Sequence, residues 1–175
     1  PVNDTTVDFI NSEVQGINTG SVGVRIGEAF DSIVKDAEIY GFGNNGIVMN
    51  GSSENVSISG MEIHDCTGRG IFLSEVDNNK VYDNNIYGNS NGIYLGSNYN
   101  LVYNNIFNQT DNFQVSGVNY FNTSYQAGTN IWNATLGYIG GNAWFTPAGD
   151  GFSDLCDDLD SNGFCDDSYT LAENN

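Results

Sequence analysis

The chain has 175 residues with 22 acidic against 4 basic side chains, a formal net charge of −18. Such a polyanion is repelled by phosphate backbones and by anionic bilayers, which argues against nucleic-acid binding and against a membrane-surface role. No apolar run reaches the length of a spanning helix, so no membrane insertion is expected.

The length suits one domain with a small appendage. A chain that begins at Pro1 without a signal peptide reads as a mature or trimmed product. Acidity with scarce Lys suits an extracellular or saline setting, where counter-ions screen the repulsion. Six Asn-X-Ser/Thr sequons occur, at Asn3, Asn50, Asn55, Asn108, Asn122 and Asn133. About four are expected by chance from 27 Asn and 25 Ser plus Thr, so they support secretion only weakly.

Residues 1–20 fit the repeat of the following segment poorly. Val7, Phe9, Ile10, Val14 and Ile17 are read as an irregular first rung or N-terminal cap. No amphipathic helical cap is visible, which leaves a strand-built cap or an end that pairs with another copy.

Residues 21–118 are periodic. One phrase returns five times: Gly23-Val24-Arg25-Ile26, Gly46-Ile47-Val48-Met49, Gly70-Ile71-Phe72-Leu73, Gly92-Ile93-Tyr94-Leu95 and Asn112-Phe113-Gln114-Val115. A second anchor, Ile39, Ile63, Ile86 and Ile106, keeps nearly the same beat, with Val34, Ile58, Val81 and Leu101 five residues earlier. Each phrase alternates apolar and variable positions, as strands do. The 22 Gly and abundant Asn oppose helix. Short strands joined by tight turns at this period make the rungs of a right-handed parallel β-helix, about five to six in number. With the Ile anchors aligned, Asn84 falls beside Asn104 and Asn85 beside Asn105, the arrangement of amide ladders.

Tyr40, His64, Tyr87 and Phe107 each follow an Ile anchor, and Phe72 and Tyr94 are successive variable residues of the main phrase. Outward aromatic stripes of this kind stack across rungs and stabilise the sheet. Alternatively, Phe72, Tyr94, Tyr87 and Phe107 contact a sugar or a neighbouring protomer. His64 is the sole histidine. Without Met or Cys partners at ligand spacing it makes a poor copper site and reads as one more stacked ring.

Residues 119–175 form a closing segment. Both tryptophans, Trp132 and Trp144, fall in its crowded aromatic part, which suggests a cover for the C-terminal end of the rod. Asp158, Asp160, Asn162, Gly163 and Asp166 then match a D-x-D-x-N-G-x-x-D calcium loop, with Phe164 offering a carbonyl and Gly163 the turn. Tyr169 stands where an EF-hand carries Glu. The loop is therefore read as a shorter acidic calcium loop, like those of thrombospondin type-3 repeats. Cys156 and Cys165 bracket it, and a disulfide there implies an oxidising compartment. Cys66 is left over, as a buried thiol or an intermolecular bridge.

The rungs resemble the NosD-like parallel β-helix repeats of archaeal secreted and surface proteins. The resemblance is carried by Val81-Tyr82-Asp83-Asn84-Asn85-Ile86 and by Asn91-Gly92-Ile93-Tyr94-Leu95. In the tail, Asn130-Ile131-Trp132-Asn133, Gly140-Gly141-Asn142-Ala143-Trp144, the acidic loop and Asp167-Ser168-Tyr169-Thr170-Leu171 are similar to the family's closing motifs. Coverage is about residues 21–171, with Ala143 in place of a usual Tyr and the Cys pair as departures. The resemblance implies the fold, an extracellular or cell-surface location and bound Ca²⁺. Copper does not carry over, because no His/Met/Cys cluster is visible.

Two functions are weighed. The first is a non-enzymatic surface structural protein, a calcium-stabilised rod that assembles with copies of itself into a sheath, layer or filament. The second is a carbohydrate-binding or polysaccharide-cleaving module, whether lyase or hydrolase, that meets surface glycans. Glu62, Asp65 and Asp83 with Arg69 or Lys80 are its conceivable catalytic groups, though the repeat register does not converge them.

Overall fold

The structure, a computed structural model, describes residues 2–3, 5–17 and 20–169. Thr170 and Leu171 of the tail motif lie outside the described residues. The chain winds into a parallel β-solenoid of about five turns with, among the described residues, a single short helix, Phe152–Leu155.

Three strand faces repeat around the rod. The first is a five-stranded parallel sheet of Val24–Gly27, Ile47–Asn50, Arg69–Ser74, Asn91–Gly96 and Phe113–Ser116. The second stacks Ser57–Ser59, Lys80–Tyr82 and Leu101–Tyr103. The third stacks Glu62–His64, Asn85–Tyr87, Ile106–Asn108 and Ala143–Phe145. Ile33–Tyr40 runs through both of these faces and joins them into one sheet, and Thr6–Gln15 pairs along it with a bulge between Asp8 and Ser12.

Period-2 alternation sets what points inward. Val34, Ile58, Val81 and Val102 form one inward column; Ile39, Ile63, Ile86 and Phe107 form a second. Ile47, Ile71 and Ile93 with Met49, Leu73 and Leu95 fill the first face. Nearly all are fully excluded from water, each contributing about 1.5–3 kcal/mol of apolar burial. Trp144 stacks on Phe107 at 4.7 Å and closes this core at the C-terminal end.

The corners explain the Asp, Asn and Gly content. Asp36, Gly60, Asp83 and Asn104 all take positive φ at the corner between the second and third faces. Asp31, Asn55, Asn78 and Tyr99 do so ahead of the second face. These are the residue types that tolerate the left-handed region, Tyr99 excepted.

Inside the corners run two amide ladders. Asn79 donates to Asn100 Oδ1 at 3.2 Å, and Asn100 donates to Asn119 Oδ1 at 3.1 Å. Asn84 donates to Asn105 Oδ1 and Asn105 to Asn142 Oδ1, both at 2.9 Å. Each acceptor oxygen also takes a backbone N–H from the neighbouring rung, so the buried amides are paired along the rod axis.

The ladder corrects the register expected from the Ile spacing. Asn84 lies beside Asn105, not Asn104, and Ile86 pairs with Phe107, not Ile106. Likewise Val102, not Leu101, continues the second-face column. One residue of shortening falls ahead of Leu101, where the step drops from 22 at Ile71/Ile93 to 21 at Val81/Val102, and a second falls only after Phe107, where it drops from 21 to 20 at Ile93/Phe113. Counting aliphatic residues alone puts both ahead of Leu101.

Candidate functional site

The third face carries a row of paired titratable side chains. Outward positions in register place Gln15, Tyr40, His64 and Tyr87 in one row, and Glu13, Glu38 and Glu62 in another. His64 stacks between Tyr40 and Tyr87 at centroid distances of 5.0 and 4.7 Å, with planes within 5°. Its Nε2 meets Glu38 at 3.1 Å and its Nδ1 meets Asp65 at 2.9 Å. The Tyr87 hydroxyl donates to Glu62 at 2.8 Å, and the Tyr40 hydroxyl donates to Glu13. Each ring thus reaches back to the carboxylate of the preceding rung.

These contacts shift the titrations. Burial alone lowers the His64 pKa, but its hydrogen bonds to the Asp65 and Glu38 carboxylates outweigh this and raise the net value. Tyr40 is pushed up to about 12, chiefly by its bond to Glu13. Tyr87 is also pushed up to about 12, by burial and then by Glu62. The stripe is a set of committed pairs: each carboxylate named here already holds a ring.

The other candidate groups do not converge on it. Asp83 and Lys80 belong to the second face and its corner, where burial raises the Asp83 carboxyl against the opposing bond from Asn104. Arg69 lies on the first face. Its guanidinium sits over Tyr94 at 4.8 Å and Phe72 at 5.4 Å, and donates to Gln114 at 3.0 Å. Phe72 and Tyr94 stack at 4.8 Å and are half-buried, as is Tyr87. Phe107 is not an outward contact residue at all. It is 0% exposed, because the register turns it into the core.

At the C-terminal end the closing segment leaves an open cleft of about 940 Å³. A two-stranded antiparallel ribbon, Gln126–Ala127 with Tyr138–Ile139, is flanked in the chain by the lining residues Tyr125 and Gly140. Trp144, Phe145 and Phe152 line the floor beside Tyr120, Tyr125 and Trp132, which stand largely in solvent. The aromatic crowding of 119–149 foretold the rings, but not that so many of them stay exposed around a hollow.

The acidic loop lies on the rim of this cleft, closed by the disulfide Cys156–Cys165. Cys66 is a free thiol, 2% exposed and pointing into the core, where burial raises its pKa. Within the loop the carboxylates serve the backbone. Asp158 accepts from the amides of Asn162 and Gly163, Asp160 from Asn162, Asn162 Oδ1 from Phe164, and Asp166 from Leu159. Gly163 takes φ 86°, the turn that the pattern calls for. Among the described residues no group of three or more His, Cys, Asp or Glu side chains is placed to hold a metal ion.

Comparison with known proteins gives one family. The profile described as periplasmic copper-binding protein (NosD) matches residues 5–149. No curated protein and no solved structure matches the chain. The family description names copper, and the loop brings no metal-holding group together, so the calcium assignment to Asp158, Asp160, Asn162, Phe164 and Asp166 is corrected: these residues order a turn. Copper fits this chain no better. His64 faces outward with both ring nitrogens held by carboxylates, while Met61 and Cys66 of the same rung point into the core. By the extent of the match and the rung register beneath it, the chain belongs to the NosD family of parallel β-helices.

Proposed function

We propose that this protein works outside the cytoplasm as a non-enzymatic structural rod that associates through its N-terminal end with another copy of itself. The family's description as periplasmic supports the location, and no described helix is long and apolar enough to cross a membrane. The observation that carries the reading is the N-terminal rung. Among the described residues, no strand pairs with the outer edges of Thr6–Gln15 and Val24–Gly27. Beside these edges Val7, Ile10 and Ile17 are 44, 77 and 81% exposed. Open edges with apolar flanks are templates for further strands, and a second rung of matching width is the partner that satisfies them.

Sedimentation velocity over a concentration series tests this. The wild type is expected to grow in mass with concentration, and Ile10→Lys together with Ile17→Lys to hold it at one copy. A wild type that stays a single copy at every concentration, indistinguishable from the variant, sinks the proposal.

A further inference from the structure

We infer that the C-terminal cleft is a binding site for a neutral oligosaccharide. The inference is independent of end-to-end association, since it concerns the opposite end of the rod and different residues.

Three observations carry it. First, the rings present faces instead of hiding them: Trp132, Tyr125 and Tyr120 are 60, 57 and 51% exposed around the hollow. Trp132 is propped against Phe145 at 4.6 Å, and Tyr125 against Tyr138 at 4.6 Å. The platforms are therefore held open before any ligand arrives, as binding with little reorganisation requires. Stacking of C–H faces of a sugar on such rings buries apolar area while leaving the hydroxyls at the rim.

Second, the polar complement suits hydroxyls. The Asn122 side chain has no partner among the described residues, and exposed Ser168 lies on the same lining. An amide and a hydroxyl each donate and accept, which matches a polyol rather than a single charge.

Third, charge selects against anions. Asp158 and Asp167 line the cleft and no Lys or Arg does; the four cations, Arg25, Lys35, Arg69 and Lys80, all sit on the rungs. A uronate, sulfated or phosphorylated chain meets only carboxylates in a molecule of net charge −18. A neutral sugar carries no such penalty. A volume of about 940 Å³, open along one side, accommodates several linked rings rather than one enclosed monosaccharide.

The test is affinity electrophoresis of unglycosylated protein with its disulfide intact, so that no sugar on Asn122 fills the cleft beforehand. Native gels contain hydroxyethylcellulose, galactomannan or polygalacturonate. Retardation is expected in at least one neutral gel, and none in polygalacturonate. Trp132→Ala is expected to weaken the apparent affinity at least tenfold with an unchanged melting temperature, whereas Trp132→Phe, which keeps a ring, retains binding. Because Trp132 is exposed, a folding failure is caught by the melting curve, and Tyr120→Ala then serves as the second variant. No retardation in either neutral gel, equal retardation by polygalacturonate, or retardation unchanged in both Ala variants overturns the inference.

Discussion

Each buried asparagine of the ladders holds bonds that no other side chain supplies. Asn84 is 0% exposed, accepts the Met61 amide and donates to the Ile58 carbonyl and to Asn105. Asn84→Ala removes the acceptor of the Met61 amide and a donor of the Ile58 carbonyl, while Asn105 Oδ1 keeps the backbone amide of residue 84; each orphaned buried group costs about 1–3 kcal/mol. The expected loss in urea unfolding is about 2 kcal/mol or more; less than about 1 kcal/mol would show that water replaces the amide freely. His64 sets a pH dependence. Its folded pKa stands above the ordinary 6.5, so its stabilisation is fully present below that value and is lost as pH rises through the folded pKa. Melting temperature is therefore expected to fall across that window in the wild type and to lose that component in His64→Gln. The same slope in both proteins would assign it to other groups. Tyr40 and Tyr87, both raised to about 12, are expected to ionise last in an ultraviolet titration.

Among the elements, the strand Ile106–Asn108 shows where a sequence misleads. Ile106 carries the aliphatic character of its column, yet Phe107 takes the buried position because it stacks beneath Trp144. Two inward candidates stood side by side, and only the closing segment, distant in sequence, decides between them. Phe107→Ala is expected to cost about 3–5 kcal/mol, as removal of a buried aromatic does. Phe72→Ala, on a half-buried outward ring, is expected to cost markedly less in the same denaturation assay. Equal losses would put Phe107 outside the core. The first-face phrases were fully legible, since every member pairs as the spacing implies. Thr6–Gln15 was not, because its bulge between Asp8 and Ser12 breaks the alternation and its rung lacks the recurring Gly-led phrase. The stacked Tyr40, His64 and Tyr87 were legible from the same register. The cleft was not, because it is bounded by non-repeating segments whose contacts follow no period. The acidic loop misled for a further reason: alternating Asp and Asn side chains that bind an ion also suit a turn that bonds to its own amides, and spacing alone does not separate the two.

At the scale of the whole molecule, −18 formal charges sit on a slender rod, and stacked rungs bring like charges such as Glu38 and Glu62 into register. Added NaCl is expected to raise the melting temperature by screening this repulsion, and to favour association of copies that repel at low salt. A melting temperature indifferent to salt would place the acidic rows too far into solvent to matter. The two ends differ. The C-terminal end is covered by Trp144 and its segment, while the N-terminal edges stand open among the described residues. That asymmetry is the basis of the proposed association. About five turns at roughly 4.8 Å give a rod on the order of 25 Å long. The most direct measurement is electron microscopy of the purified protein at moderate salt without reductant. Particles of about twice that length, joined at their N-terminal ends, with the Ile10→Lys and Ile17→Lys variant reduced to single rods, are the predicted result. Single rods for both proteins would contradict the account.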